Sequence, residues 1–267
     1  GLHLDPTKEY YLAHKEKIKT DLEEPFQQLM EDIAASFPPA IREVMETEKK
    51  IFGRILKNDY GQGGAWDYYW GAFYPKGGKR TENAQLSMWL NHRFLECGFY
   101  IGAYGSESRH RFVNNCQTYY HRLLPLLEDA LSRDGLYFSP QKNLTVTEAG
   151  EITLHEAITW QEWLQNPART DCDASFIIPW PRLRQYSRAE LAETVRGIHS
   201  SLFPLVLLAN YDDPIPAILD YLGAGEIEET DEPTLNDSYS LGQMAAETGL
   251  DESTLSRWVA AIERKKQ

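Results

Sequence analysis

The sequence predicts an α+β fold, in which a curved antiparallel sheet is packed by helices and followed by a small C-terminal helical module. Three observations support this prediction. The chain starts with helical apolar spacing, residues 51–103 contain short aromatic and aliphatic runs separated by glycine-rich turns, and a strong helix signal begins at Ser187. With 267 residues, 42% of them hydrophobic, the chain can bury a sizeable core without disulfides or metals.

For the first half of the chain, the sequence predicts helices followed by an antiparallel meander of strands. Residues from about 5 to 36 form one long helix or two, because apolar residues recur on one face, namely Tyr11, Ile18, Leu22, Phe26, Leu29 and Ile33. A short helix is predicted after Pro38 and Pro39. Four strands follow in antiparallel order, over residues 51–57, 68–74, 84–91 and 95–103.

For the second half of the chain, the sequence predicts further helices and further strands. Residues 107–131 are expected to be helical, and segments 144–147, 151–154 and 175–179 are expected to join the same sheet. Ser187 is predicted to cap a long helix, since Glu190 three residues later completes a capping box. Pro204 is expected to kink that helix. A short helix over residues 216–222 then ends an α+β domain of residues 1–222.

Residues 223–239 are predicted to be an acidic linker, and residues 240–267 a small helical module. Nine acids and no basic residue lie between Gly223 and Ser256, as expected for a solvated segment: Glu226, Glu228, Glu229, Asp231, Glu232, Asp237, Glu247, Asp251 and Glu252. The module has the helix, turn, helix order of a DNA-binding helix-turn-helix. A helical connector is the favoured interpretation, because the first helix of the module is acidic.

The cysteine count and the lack of a targeting signal predict a soluble, cytoplasmic protein with no membrane contact. Cys97, Cys116 and Cys172 are odd in number and follow no metal-ligand spacing, so they are interpreted as reduced thiols of the core. The sequence contains no run of about 18 apolar residues and no charged-then-apolar leader.

The charge distribution is uneven, and this bears on the type of partner. A net charge of −13 argues against binding to nucleic acid. The segment 49–120 is nevertheless positive by five, since it has ten basic residues (Lys49, Lys50, Arg54, Lys57, Lys76, Lys79, Arg80, Arg93, Arg109 and Arg111) and five acids (Asp59, Asp67, Glu82, Glu96 and Glu107).

Within the positive segment, a glycine-rich loop and several tryptophans predict a base-stacking site. The loop is Gly61, Gln62, Gly63 and Gly64, whose backbone can approach a ligand closely, and it lacks the Lys-Ser/Thr of a phosphate-binding P-loop. Trp66, Trp70 and Trp89 offer flat surfaces, and four cations lie at neighbouring strand ends: Lys57, Lys76, Lys79 and Arg80. The alternative for Trp70 is plain core packing.

The sequence indicates neither a catalytic centre nor a metal site. His92, His110 and His121 have no ligand spacing, and no metalloprotease, nuclease or nucleophile-elbow motif occurs. We therefore expect the domain to have no enzymatic activity and to hold no cofactor. The remaining polar cluster, residues 106–111, is interpreted either as a phosphate site at a helix start or as a capped, solvated helix.

Residues 51–102 resemble the N-terminal recognition domain of McrB-type proteins, the AAA+ GTPase subunits of modification-dependent McrBC restriction systems. The resemblance is carried by Gly61-Gln62-Gly63, by Tyr69-Trp70-Gly71-Ala72-Phe73 and by Phe99-Tyr100-Ile101-Gly102, and covers about fifty residues clearly. Residues 255–267 also resemble the segment that leads into the motor of such proteins, so the chain is expected to stop just ahead of it.

The resemblance implies recognition of modified duplex DNA, with methylated cytosine as the expected base, by base flipping. It implies that Trp70, Trp89 and Tyr69 line the base pocket, and that Gly61, Gln62, Gly63 and Gly64 form the wedge loop that enters the duplex. Trp66 has no counterpart in the family and is added to this loop as a further candidate. Gln62 stands where the best-known member has an aromatic residue, so Gln62 or Trp66 is the wedge candidate. Phosphates are expected to contact Lys57, Lys76, Lys79, Arg80 and Arg93.

The resemblance also implies partners outside this chain. GTP and Mg are expected only in the motor, and an McrC-like nuclease subunit is expected to bind through that motor. The isolated domain is expected to be a monomer. The alternative function is a protein-binding or small-ligand-binding module that does not bind DNA, because the total charge is negative.

Overall fold

A six-stranded antiparallel sheet is the centre of the fold, and the predicted α+β class is confirmed. The computed structural model describes residues 1–57, 63–139, 144–169, 172–224, 245 and 251–265. Within these ranges the strands of the sheet are β1 Met45–Glu46, β2 Tyr69–Pro75, β3 Ala84–Leu90, β4 Phe94–Ile101, β5 Leu136–Phe138 and β8 Ala174–Pro179, while β6 Leu144–Val146 and β7 Ile152–Leu154 form a separate pair. The order of strands in the sheet is β1-β2-β3-β4-β8-β5.

Helices precede, interrupt and follow the strands. They are α1 Lys8–Ala13, α2 Lys15–Ile18, a π-helical turn Lys19–Glu23, α3 Glu24–Ser36, α4 Pro39–Val44, α5 Ser106–Thr118, α6 Tyr120–Leu131, α7 Trp160–Gln165, a 3-10 turn Pro167–Arg169, α8 Trp180–Leu183, α9 Arg188–Asn210 and α10 Ile215–Leu222. The chain divides into two compact units, Gly1–Gly223 and Ala224–Gln267.

The two faces of the sheet differ because side chains alternate along each strand. One face is the core face, where Phe73, Leu86 and Phe99 are fully buried. Helices α3 and α9 pack there, and α9 contacts both β3 and β4. The other face has Trp70 and Trp89 on β2 and β3. Burial of the first face therefore determines which side chains the second face presents.

Helix α9 is the principal support of the core face. The predicted capping box is confirmed, because the Ser187 hydroxyl accepts from Glu190 N at 3.2 Å and the Glu190 carboxylate accepts from Ser187 N at 2.8 Å. One helix runs through Pro204 to Asn210. Residues 202–209 are all buried, as expected for a helix segment surrounded by other elements.

The prediction of a strand over residues 51–57 is wrong. Only two isolated bridges occur, Phe52 with Gly71 and Leu56 with Ala65. The segment pairs with two different parts of the chain. Gly53 N donates to Trp70 O in β2, whereas Ile55 O accepts from Trp66 N, which precedes β2. The edge next to β2 is shared with β1, a strand that the sequence did not reveal.

The predicted positions of residues 144–147 and 151–154 in the main sheet are also wrong. These residues pair only with each other, as β6 and β7. The free edge of β8 is taken by β5, with Leu136 opposite Phe176. The strand predicted over residues 175–179 does join the sheet as β8, which pairs with β4 along the edge opposite β3.

Two predicted helical regions are divided. Residues 5–36 form α1, α2, the π-helical turn and α3, and of these only α3 has buried residues. The first three lie on the surface, where Tyr11, Ile18 and Leu22 are half-buried. Because these elements bury no residue, core packing does not hold them in one straight helix. Residues 107–131 form α5 and α6, which are separated at Tyr119.

In the second unit, the described helix is Glu252–Lys265. Asp251 precedes it and accepts hydrogen bonds from Ser253 and Thr254, which lower the pKa of its carboxyl to about 2. The acidic linker from residue 225 onward and, apart from residue 245, the predicted helical module up to residue 250 lie outside the described residues. Among the helices that are described, none has both the length and the apolar character needed to cross a bilayer.

His199 on α9 should make the stability of the fold depend on pH. Its imidazole is fully buried and donates from Nε2 to Ser87 O at 3.1 Å, because a carbonyl oxygen only accepts. Burial lowers its pKa from 6.5 to about 4, so as the pH falls below 6.5 the unfolded chain gains a proton that the folded chain does not. The resulting loss of stability is about 2 kcal/mol between pH 7 and pH 5.

The check is thermal unfolding of His199→Gln and of the unchanged protein at both pH values. Glutamine can still donate to Ser87 O but does not titrate, so its melting temperature should fall less between pH 7 and pH 5. Equal falls for the two proteins would rule out His199 as the source of the pH dependence.

Candidate functional site

Four aromatic rings form a continuous row on the face of the sheet opposite α9. We call Trp66, Tyr68, Trp89 and Trp70, in that spatial order, the ring row. Successive ring centroids are 5.1, 4.7 and 5.3 Å apart. The Trp70 and Trp89 indoles are stacked at an interplanar angle of 15°. Trp66 is 38% exposed and the other three rings are half-buried, so the row is a surface feature.

A cation covers each end of the ring row. Lys57 Nζ lies 4.4 Å from the centroid of Trp66, and Arg80 Cζ lies 5.0 Å from the centroid of Trp70. Arg80 is also anchored, because its Nη1 donates to Lys50 O at 2.8 Å and to Phe52 O. Burial lowers the pKa of Arg80, yet a guanidinium stays charged at neutral pH. The Trp66 end therefore has a cation on a free lysine stem, and the Trp70 end has a fixed one.

The register of β2 with β3 and the glycine at position 53 together allow Trp70 and Trp89 to stack. Trp70 and Trp89 are directly opposite each other in the pairing of β2 with β3. Gly53 passes over the Trp70 indole, and a Cβ at this position would lie 2.3 Å from Trp70 Nε1. Glycine is required here because any larger side chain would displace the ring.

The chain around the predicted wedge loop forms a short hairpin. Lys57 N donates to Gly64 O at 3.1 Å, and Ala65 N donates to Pro6 O at 2.7 Å, so the N-terminal segment holds the second arm. Gly64 allows this approach, because a Cβ there would lie 2.5 Å from Pro6 O. Gly61 and Gln62 lie outside the described residues, whereas Gly63, Gly64 and Trp66 lead from the loop into the ring row.

Tyr69 is not part of the predicted base pocket. It is adjacent to Trp70 in β2 and therefore points to the core face, where it is 3% exposed. Its hydroxyl accepts from Gln27 Nε2 at 2.8 Å, and its ring packs edge-on against Phe26. Burial raises the pKa of the phenol. The structure thus brings Trp70 and Trp89 together and places Tyr69 on the opposite side.

The five predicted phosphate contacts do not form one cluster. Lys76, Lys79 and Arg80 lie in the turn between β2 and β3, whereas Arg93 lies in the turn at the other end of β3. Lys76 Nζ donates to Arg42 O at 2.7 Å, Lys79 forms an exposed ion pair with Glu82, and Arg93 Nη1 donates to Val146 O at 3.1 Å. Lys57 and Arg80 are the two that flank the rings.

Four polar residues are buried on the same sheet face as the ring row. Gln85 and Ser87 on β3, Glu96 on β4 and Ser175 on β8 are each at most 6% exposed. Glu96 is directly opposite Trp89, and its Oε1 is 2.7 Å from Ser175 Oγ. The same hydroxyl is 2.7 Å from Asp173 Oδ1. The Oε1 atom of Gln85 is buried and has no hydrogen-bond partner.

Sequence reasoning missed Tyr68 and this polar group. Tyr68 could have been found, because Trp66, Tyr68 and Trp70 alternate with period two, and an extended chain then presents all three on one side. Glu96 lies inside a predicted strand, but its side of the sheet follows only from the register with β3. No sequence signal connects Ser175 with Glu96, since they are 79 residues apart.

A cavity of about 820 Å³ lies beside the N-terminal helices. Its lining is mainly apolar and includes Ile18, Leu22, Phe26, Leu90 and Trp180. Cavities of this size and lining are typical of small-ligand sites. It shares Tyr68 with the ring row.

In the described part of the chain, the cysteines are buried and the His, Cys, Asp and Glu side chains form no metal-binding cluster. The three cysteines are free and buried, as predicted, and burial raises the pKa of Cys97 and Cys116. High-pKa thiols are poor nucleophiles. No group of three or more His, Cys, Asp or Glu side chains among these residues could hold a metal ion.

We expect Gly53→Ala to separate the stacked tryptophans without unfolding the protein. The new methyl group would overlap the Trp70 indole, and overpacking of this kind costs about 1–3 kcal/mol. The exciton signal of the stacked indoles in circular dichroism should therefore disappear. Gly197→Ala in α9 is the matched control, because its nearest neighbour would be the flexible Arg133 side chain at 3.4 Å. An unchanged exciton signal in Gly53→Ala would contradict this role of Gly53.

Comparison with known proteins found no family model, no curated protein and no solved structure that matches the chain. Function is therefore inferred from the geometry of the ring row and its surroundings, together with the motif resemblance in residues 51–102.

Proposed function

We propose that the domain recognises a modified base in duplex DNA, with methylated cytosine as the expected base, after the base has swung out of the helix. The observation that carries the proposal is the ring row with a cation at each end. Aromatic faces stack on bases, and lysine and arginine contact the flanking phosphates. The positive balance of residues 49–120 and the motif resemblance support the same function.

The spacing of the rings favours the Trp66 end as the stacking position. A planar base between two rings needs about 7 Å, twice the usual van der Waals contact distance. The Trp70 and Trp89 centroids are only 5.3 Å apart, so the base cannot enter between them. Lys57 covers Trp66 by a cation–π contact of about 1 kcal/mol at an exposed site, and a base can displace it. Lys57 is then free to contact a phosphate.

The Trp66 end also lies next to the glycine loop. Gly63 and Gly64 are separated from Trp66 by Ala65 alone, and Lys57 is paired with Gly64 across the hairpin. A wedge from this loop and a stacking surface at Trp66 would act on neighbouring positions of one duplex. We assign cleavage to a separate McrC-like nuclease subunit and GTP hydrolysis with Mg to a motor domain, both outside this chain.

The test is a titration of identical duplexes with one cytosine, 5-methylcytosine, 5-hydroxymethylcytosine or N6-methyladenine. One modified duplex should bind more tightly than the cytosine duplex. Trp66→Ala should weaken that binding by about tenfold or more and remove the preference, because stacking contributes about 1–3 kcal/mol per base. Lys79→Ala, which changes an exposed cation, should weaken all duplexes by a similar small factor and reduce their salt dependence.

A second candidate function, binding of a small apolar ligand without DNA, is favoured by the 820 Å³ cavity. Trp180→Ala separates the two functions, because Trp180 lines the cavity and does not belong to the ring row. DNA affinity should be unchanged in Trp180→Ala. Equal affinity for every duplex, independent of salt, would contradict DNA recognition and leave the cavity as the functional site.

A further inference from the structure

We propose that the 820 Å³ cavity beside the N-terminal helices is a second binding site of the domain, and that it takes an uncharged, aromatic small molecule. The proposal goes beyond DNA recognition, because this site would work alongside the ring row rather than in place of it. It names the class of ligand for the cavity of the second candidate function and does not depend on DNA binding.

Separate parts of the domain line the cavity with apolar side chains. Ile18 and Leu22 come from the N-terminal helices, Leu90 and Leu95 from β3 and β4, and Leu183 from α8. Small-molecule sites are concave, mainly apolar and formed where several elements of a fold meet. The cavity has all three properties.

Aromatic side chains determine which shape of ligand the cavity favours. Five of them line it, each from a different segment: Tyr10, Phe26, Tyr68, Trp180 and Tyr186. A ring of the ligand gains energy from edge-on or offset contact with these rings, beyond the area that it buries. A flexible acyl chain would lose rotamer freedom on binding. The lining therefore favours flat rings over a long acyl chain.

The charged side chains around the cavity disfavour an acidic ligand. Lys17 is paired with Asp21, and Arg188 Nε lies 2.6 Å from Asp32 Oδ2. Within the part of the chain that the structure describes, these are the lysine and arginine side chains of the lining, and both have a carboxylate partner. Asp67 adds a further negative charge. An anionic head group would therefore lose water without gaining a free cation.

Two further groups also favour an uncharged ligand. Burial and the neighbouring His3 and Arg93 lower the pKa of His92, so its imidazole is uncharged at neutral pH. The Asp67 side chain is exposed, and an exposed carboxylate attracts a cation only weakly. A molecule without charge thus fits the lining best.

The N-terminal helices give an independent sign of a ligand. Helices α1 and α2 and the π-helical turn bury no residue, although Ile18 and Leu22 are half-buried and line the cavity. Turns of π-helix are frequent at functional sites, and this one contributes both Asp21 and Leu22 to the lining. A ligand would bury more of Ile18 and Leu22, so its binding should slow amide hydrogen exchange in residues 8–23.

The test is a titration with N-phenyl-1-naphthylamine, an uncharged fluorescent probe, and with 8-anilino-1-naphthalenesulfonate, which has the same rings and a sulfonate group. The uncharged probe should bind one molecule per chain, at least about tenfold more tightly than the sulfonate, because the sulfonate finds no free cation. Asp21→Asn releases Lys17 from its ion pair. It should tighten sulfonate binding by about threefold and leave the uncharged probe unaffected.

A filled cavity and a matched control locate the probe. Leu22→Trp should weaken N-phenyl-1-naphthylamine by about tenfold or more, because the larger side chain occupies the site. Leu12→Trp is the control, since Leu12 is exposed on α1 and does not line the cavity. Thermal unfolding shows whether Leu22→Trp retains the fold, and Ile18→Trp is the second variant if it does not.

The outcomes separate this proposal from DNA recognition. If Leu22→Trp binds the uncharged probe as tightly as Leu12→Trp does, the cavity is not its site and the proposal fails, whatever the duplex titrations show. A sulfonate that binds as tightly as the uncharged probe overturns the assigned ligand class. Expected probe binding together with equal affinity for every duplex would support the cavity site and contradict DNA recognition.

Discussion

Burial of one face of the sheet against α9 is the constraint on which the other features depend. Once Phe73 and Leu86 are committed to the core, strand alternation places Trp70 and Trp89 on the opposite face. The register of β2 with β3 then sets the two indoles directly opposite each other, where they stack. The stacking surface is therefore a product of core packing, and a shift of one residue in register would bury the tryptophans and expose the core.

The ring row and its two cations come from four separate segments. Trp66, Tyr68 and Trp70 lie just before and at the start of β2, and Trp89 lies on β3. Lys57 comes from the hairpin before β2, and Arg80 from the turn after it. Gly53 makes room for the indole that Arg80 covers. Such a surface needs the whole meander in place, which agrees with a binding site built on rigid strands and completed by a loop.

The sequence predicted the main strands and helices well because their patterns are local. The strands that became β2, β3 and β4 follow from aromatic and aliphatic runs between glycine-rich turns, and the start of α9 follows from Ser187 and Glu190. Pairing partners are not local. The sequence could not reveal that Leu136 rather than Leu144 would fill the edge of β8, nor that segment 51–57 would change partner halfway.

The candidate site was predictable to the same extent. Its tryptophans and Lys57 are visible in the sequence as an unusual density of aromatic residues and cations. The sheet face of Tyr69 and of Glu96 depends on register, so Tyr69 was assigned to the site wrongly and Glu96 was missed. The structure therefore changes the interpretation of residues such as Tyr69 and Glu96. The sequence places them in a strand but does not show which face of the sheet their side chains lie on.

The two cation caps give the ring row unequal ends. Arg80 is tethered through Nη1 to two backbone carbonyls of the edge segment, whereas Lys57 has a flexible stem and covers the most exposed ring. One terminus is stiff and the other is compliant. Under the proposed function, a flipped base that reaches the compliant terminus would displace Lys57 without moving the strands, and the stack would then grow by one ring at that terminus alone.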